Sequence, residues 1–233
     1  MTDKKIEYLG HAGFQITSEK DKIIIIDPWL TENPLAVCRA EDITRADVVL
    51  VTHDHFDHTA DAAGIVKKTG ATLVGMPETV DRLKKEAEIP DSRIAFGMGM
   101  NIGGTFTFDG VSITMTQAFH SSQTASPVGY IIRLENGFTI YHAGDTGIFS
   151  SMKILGEIYH IDLAMLPIGG VFTMDPAQAT SAARLLDVSK VIPMHFKTFP
   201  VLEKDAVSFK EIMKREAPDI EVIDLDPGRE YIF

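Results

Sequence analysis

Short apolar runs, separated by polar or glycine-bearing stretches, set the rhythm of this chain. KIIIID (22–27), DVVLVT (47–52), TLVGM (72–76), DLAMLP (162–167) and KVIPMH (190–195) are brief and nearly unbroken, the pattern of strands covered on both faces. Two stretches between them, 59–68 and 78–88, have helix-forming composition. A third helix is announced by Asp175-Pro-Ala-Gln178, with Asp175 as N-cap, proline in the first turn and Gln178 completing a capping box. The middle of the chain differs. GTFTFDGVSITMTQAF (104–119) and GYIIRLENGFTIYHAGD (129–145) read as hairpins turning at Asp109-Gly110 and Asn136-Gly137. The sum is an α/β protein with mixed strands. Each half carries strands followed by helices and sets histidine or acidic residues at the ends of apolar runs, although no sequence period repeats.

Composition narrows the picture. With 233 residues, 45% hydrophobic and 24% charged, the chain suits one globular domain over 1–233. A net charge of −11 argues against a preformed basic surface that tracks a nucleic-acid backbone, while a local basic groove stays compatible with it. The single cysteine, Cys38, forms no internal disulfide and no thiolate cluster, which fits a reducing compartment and a small packed side chain. The start, MTDKKIEYLGHAGF, lacks a long apolar h-region. No stretch approaches the roughly 18 uninterrupted apolar residues of a membrane span. The expectation is a soluble, cytoplasmic protein without a membrane span, its assembly into a homo-oligomer left open.

Candidate chemistry concentrates in VTHDHFDH (51–58). His53, His55, Asp57 and His58 follow directly on an apolar strand, and imidazole nitrogens with carboxylate oxygens are ligands for zinc- and manganese-like cations. Gathering several ligands in one loop lowers the entropy of assembling a site. One loop does not complete two coordination shells, so further ligands are sought at other strand ends: His120 after TMTQAF, Asp145 at the end of FTIYHAGD, and His195 after KVIPM. Polar residues in these positions are where α/β folds build sites. His160, in LGEIYHID, has no such context and is read as structural. The glycines of GMGMNIGG (97–104) lack the strand-to-helix setting and the Lys-Ser/Thr ending of a phosphate loop.

Taken together, THDHFDH, His120, the Asp145 of AGDT and the late His195 resemble the metallo-β-lactamase-fold hydrolases and their H-x-H-x-D-H pattern. LGHAGF, YHAGDT, LPIGGVFTMDPAQA and VIPMHFKTFP are similar, more narrowly, to small metal-dependent hydrolases related to ascorbate-6-phosphate lactonase and N-acylphosphatidylethanolamine phospholipase D. The resemblance spans 9–200 and implies a four-layer αββα sandwich with two divalent metal ions, zinc or manganese first and iron as a third choice. It implies that His53, His55 and His120 hold one metal, that Asp57, His58 and His195 hold the other, and that Asp145 bridges them. The implied reaction is attack by a metal-bound hydroxide on an ester-like bond in a small, anionic substrate, a phosphorylated lactone or a phosphodiester, with Asp57 either orienting the hydroxide and carrying its proton or serving as a ligand alone.

His11 and His142 are expected to line the cleft or to orient ligands, and Gly169-Gly170 to let backbone pass close to the site. Two positions depart from common relatives: Asp54 stands where glycine or alanine is frequent, and Lys197 stands where an uncharged polar residue is frequent. Neither is expected to touch a metal ligand, and Lys197 is read first as a solvated surface lysine and second as the contact of an anionic group on the substrate. Two other activities share such a frame. An iron-dependent oxidoreductase of the flavodiiron kind carries glutamate where His55 stands here, and a non-catalytic metal-binding protein tolerates missing ligands, whereas all seven positions are filled.

Overall fold

A computed structural model of the protein describes residues 4–233. Two mixed sheets stack face to face. The first contains β1 (Lys5–Gly10), β2 (Gly13–Thr17), β3 (Ile23–Ile26), β4 (Val48–Leu50) and β5 (Thr72–Val74). The second contains β6 (Thr105–Phe108), β7 (Val111–Gln117), β8 (Val128–Arg133), β9 (Thr139–His142), β10 (Leu163–Pro167), β11 (Lys190–Met194) and β12 (Glu221–Val222). A last strand, β13 (Glu230–Ile232), returns to the first sheet beside β1. The strand orders are β13-β1-β2-β3-β4-β5 and β12-β11-β10-β9-β8-β7-β6.

The alternation of side chains decides which layer each residue joins. Ile24 and Ile26 of β3 and Leu163 and Met165 of β10 face the space between the sheets, where they pack with Phe14, Tyr130 and Ile192. Their neighbours point outward. Ile25 and Val49 pack on α2 (Ala62–Thr69) and α3 (Pro77–Ala87) through Ile65, Val66, Val80 and Leu83. Ala164 and Leu166 pack on α4 (Met152–Tyr159), α5 (Pro176–Leu186) and α6 (Val207–Glu216) through Met152, Ala182, Ala183 and Phe209. These strands are apolar throughout because both of their faces are covered, and the result is the expected αββα sandwich. Both predicted hairpins form, β6–β7 and β8–β9. Among the described residues no helix is long and apolar enough to cross a membrane.

Two local expectations need correction. The helix read at 59–68 is two helices, a single turn α1 (Phe56–Thr59) and then α2. The break is tertiary in origin: Asp61 turns its carboxylate to the Leu30 and Thr31 backbone N–H groups (2.7 and 2.8 Å) and the Thr31 hydroxyl (2.7 Å). The capping box of α5 is half formed. Asp175 accepts from the Gln178 backbone N–H at 2.8 Å, but the Gln178 side chain accepts from the Ile148 N–H instead of returning to the cap. His160, left as structural, closes α4 in a left-handed conformation, and Cys38 is half-buried.

Candidate metal centre

Strand direction brings the candidate residues to one edge of the sandwich. β3 and β4 run parallel, so Asp27 and the 53–58 loop emerge at the same end. β9, β10 and β11 run parallel, and β7 shares their direction because both it and β9 pair antiparallel with β8. His120, Asp145 and His195 therefore leave the second sheet on one side. Two backbone bonds lock the sheets together there, Val128 N–H to Thr52 O (3.0 Å) and His195 N–H to His11 O (2.7 Å). His11, Asp27 and His195 all hold positive φ (58°, 45° and 57°), a conformation costly for non-glycine residues and typical of sites fixed by their surroundings.

All seven residues singled out as ligands meet. The Asp145 carboxylate oxygen Oδ2 lies 2.9 Å from His195 Nε2, 3.4 Å from His58 Nε2, 3.5 Å from His120 Nε2 and 4.0 Å from His53 Nε2. On one side of it His53, His55 and His120 converge, and on the other Asp57, His58 and His195 converge together with His11. Asp145, His53 and His58 form a third group between them.

Hydrogen bonds behind the cluster set the imidazole tautomers. His58 donates from Nδ1 to Asp27 (2.7 Å), which turns its Nε2 toward Asp145 and the cluster. Thr52 donates its hydroxyl to Asp27 (2.6 Å) and so accepts from His53 Nδ1 (3.0 Å), which leaves His53 Nε2 as the nitrogen facing the cluster, where it accepts from His55 Nδ1 (2.9 Å). Asp27 is the residue that reading the chain missed. It follows IIII directly, so the rule that picked out Asp145 at a strand end would have found it. His11 donates from Nε2 to Asp57 (3.1 Å) and accepts at Nδ1 from Thr198 (2.7 Å). Burial, reinforced by His195, lowers its pKa to about 4, so His11 is neutral and holds Asp57 as a pure donor.

A divalent cation fits this arrangement on the electrostatics of the donors alone. His58 Nε2, Asp145 Oδ1 and both His195 ring nitrogens are buried without a hydrogen-bond partner, which is costly unless something else binds them. Burial opposes a charge on His58, yet the Asp145 and Asp27 carboxylates outweigh it and hold its pKa well above the usual imidazole range. Burial likewise works against ionisation of Asp145, and His195 and His58 overrule it. Both effects mean that positive charge is stabilised where these groups meet. The donors are nitrogen and oxygen with no thiolate, a set suited to zinc, manganese or iron.

The remaining expected residues divide. His142 does not line the cleft; buried against Phe14, it donates to Ala12 O (2.9 Å) and accepts from the Gly144 N–H (3.2 Å), steadying the turn that delivers Asp145. Gly169 makes the close approach foreseen, since a Cβ there would lie 2.2 Å from His195 O, while Gly170 makes a turn at φ 85° facing open space. Lys197 is exposed and is not part of the cleft over the metal cluster, so a contact with the substrate finds no support. Asp54, as expected, touches no metal ligand. It does grip the loop after His120: its carboxylate accepts from Ser122 Oγ (2.6 Å), Gln123 N–H (2.7 Å) and Thr124 Oγ1 (2.6 Å). Burial opposes the charge, but these bonds bring its pKa down to about 2.

Asp54→Ala is expected to weaken the affinity of one metal by about 10 to 100-fold, the usual cost of losing an outer hydrogen bond, while leaving the other near its parental value. Stepwise metal titration followed calorimetrically checks this. Equal weakening of both metals would show that Asp54 does not act through His120.

Above the cluster lies a cleft of about 700 Å³ bordered by His55, Asp57, His120, Asp145 and His195. A second hollow of similar size, beside Asp81, Lys84 and Lys85 of α3, contains none of the seven.

The comparisons with known proteins agree with this geometry. Residues 22–196 match the beta-lactamase superfamily domain. A UPF0173 metal-dependent hydrolase of Nitratidesulfovibrio vulgaris is 51% identical over 224 residues, covering 96% of this chain and 93% of that protein. Another from Korarchaeum cryptofilum is 44% identical over 228 residues, covering 97% and 98%. The solved structure of Igni18, a metallo hydrolase from Ignicoccus hospitalis, superimposes with a TM-score of 0.87 at 38% identity over 100% of this chain and 99% of its own. A chain with this sandwich and this histidine and aspartate edge, matched end to end by such relatives, belongs to the beta-lactamase superfamily and, within it, to the UPF0173 metal-dependent hydrolases.

Proposed function

We propose that the chain holds two divalent cations and hydrolyses an ester-like bond in a small molecule. The observation that carries this reading is the position of Asp145, one carboxylate oxygen within 4.0 Å of four histidine Nε2 atoms, with a donor triad on either side and a cleft opening above. His53, His55 and His120 hold one cation, Asp57, His58 and His195 the other, and Asp145 joins both. Bound cations in such a pair acidify water and polarise the oxygen of the bond to be cleaved. Asp57 stands at the floor of the cleft, oriented by His11, where its carboxylate accepts a proton from the attacking water and passes it on. His11 supplies orientation and, being neutral, takes no proton from Asp57. Asp27 and Thr52 keep the imidazoles of His58 and His53 in the tautomer that binds metal.

The bond types to be tried are those of a phosphorylated lactone, a phosphodiester and a neutral ester. The experiment is elemental analysis of protein purified without added metal, followed by a hydrolysis screen of these substrates before and after chelation. Two metals per chain are expected, with turnover lost on chelation and restored by zinc or manganese. The folded protein should also melt at higher temperature when loaded, because a ligand at about 100 times its Kd adds roughly 2.7 kcal/mol to stability. Two bound metals with no turnover of any substrate would make this a metal-binding protein. Turnover requiring oxygen and an electron donor would make it an oxidoreductase.

A further inference from the structure

Away from the donors, the cleft wall is largely aromatic and aliphatic, interrupted by Thr59, Ser121 and Gln123. Phe56, Ala60, Ala63, Leu83, Phe172 and Phe199 line it. Phe56 and Phe172 are 62% and 55% exposed, and both line the same cleft as the donors, where an apolar group could cover them. The charged side chains of the wall apart from the donors are Asp54, Arg82 and Glu86, two carboxylates to one cation. Arg82 is the one lysine or arginine lining the cleft among the described residues, and carboxylates offset its charge: Nη1 bonds Glu86 (3.0 Å), Nη2 donates to Asp54 O (3.2 Å), and Nε, buried without a hydrogen-bond partner, lies 3.8 Å from the Asp54 carboxylate. Glu86 itself faces the cleft. A second anionic group on a substrate would meet that carboxylate and find no free cation.

We infer that the cleft takes a neutral carboxylic ester or lactone whose non-reacting part is an apolar chain. This rests on the hydrolase reading above. Hydrolysis adds water across the acyl C–O bond: the water oxygen bonds the acyl carbon, the C–O bond breaks, and one proton ends on the leaving alcohol. The carboxylic acid formed loses the other through Asp57 to solvent. The reacting carbonyl sits over Asp57 and Asp145, and the chain lies along Phe56, Phe172 and Leu83. A phosphorylated lactone is the poorer fit, because its phosphate would meet the Glu86 carboxylate and an Arg82 whose charge Glu86 and Asp54 already offset.

Trp29, the only tryptophan in the chain, reports on this cleft, being edge-on to Phe56 (5.5 Å between ring centroids) and stacked on Phe199 (5.7 Å). Its fluorescence in the metal-loaded protein should be titrated with straight-chain carboxylates from acetate to octanoate, which keep one metal-binding head and vary only the chain. The Kd is expected to fall by up to about fourfold per methylene, the worth of burying one CH₂. Octanedioate, with a second carboxylate at its far end, should bind more weakly than octanoate. Phe172→Ser, an exposed substitution whose folding is checked by its melting temperature, should flatten the chain-length series. A flat series in the parent, or tighter binding of octanedioate than of octanoate, overturns the inference. Running the matching ethyl esters as substrates separates the two readings. Esters hydrolysed with no chain-length preference would remove the apolar cleft and keep the hydrolase; steep binding with no hydrolysis would do the reverse.

Discussion

Metal-saturated Asp57→Asn is expected to hydrolyse its substrate about 10² to 10⁴-fold more slowly than the parent, the usual worth of a positioned general base. The amide keeps the shape of the side chain and an oxygen that can accept the bond from His11, so the geometry around His58 and His195 is preserved. What it loses is the charge and the capacity to take a proton. In the parent that carboxylate is strongly acidic: burial works against its ionisation, but the His11 hydrogen bond and the charge of His58 overcome it and hold its pKa well below the ordinary value. Weaker ligation must not be mistaken for lost chemistry, so turnover is compared per bound metal pair, measured by elemental analysis on the same samples. A metal-saturated mutant as fast as the parent would remove Asp57 from catalysis and leave it as a ligand alone.

Asp145→Ala should lose both metals together, with stoichiometry falling below that of the parent in the same buffer. The cause is charge: Asp145 is buried, only 2% of its side chain is exposed, and it is the carboxylate placed between the two donor triads. Without it, two dications would sit in a low-dielectric pocket facing mainly neutral imidazoles, and placing uncompensated charge there is costly. The apo form of the variant, by contrast, should remain folded, because the layers pack through residues distant from this edge. Thermal unfolding in the presence of chelator checks that point. Retention of two metals at parental affinity would rule out the joint role of Asp145, and loss of one metal alone would assign it to a single cation.

Much of this protein is legible in its chain, for a local reason. Strands buried on both faces need unbroken apolar residues, and turns need Asp-Gly or Asn-Gly, so the runs at 22–27 and 162–167 and the two hairpins declare themselves without any partner. Ligand types and their places at strand ends are equally local. His53, His55, Asp57 and His58 are covalent near-neighbours, and His120, Asp145 and His195 each close a strand. Where the reading depends on residues far apart in sequence, only the folded chain decides. The break between α1 and α2 comes from Leu30 and Thr31 meeting Asp61. The tautomer of His58 comes from Asp27, and the hold on Asp57 comes from His11. Asp54 gains its role from Ser122 and Thr124, and the exposed Lys197 is not among the residues that line the cleft. Periodicity and turn chemistry act over a few residues and are written in the sequence itself. The sharing of a buried charge, and the side of a cleft on which an aromatic ring comes to lie, depend on strands that meet only when the two sheets close.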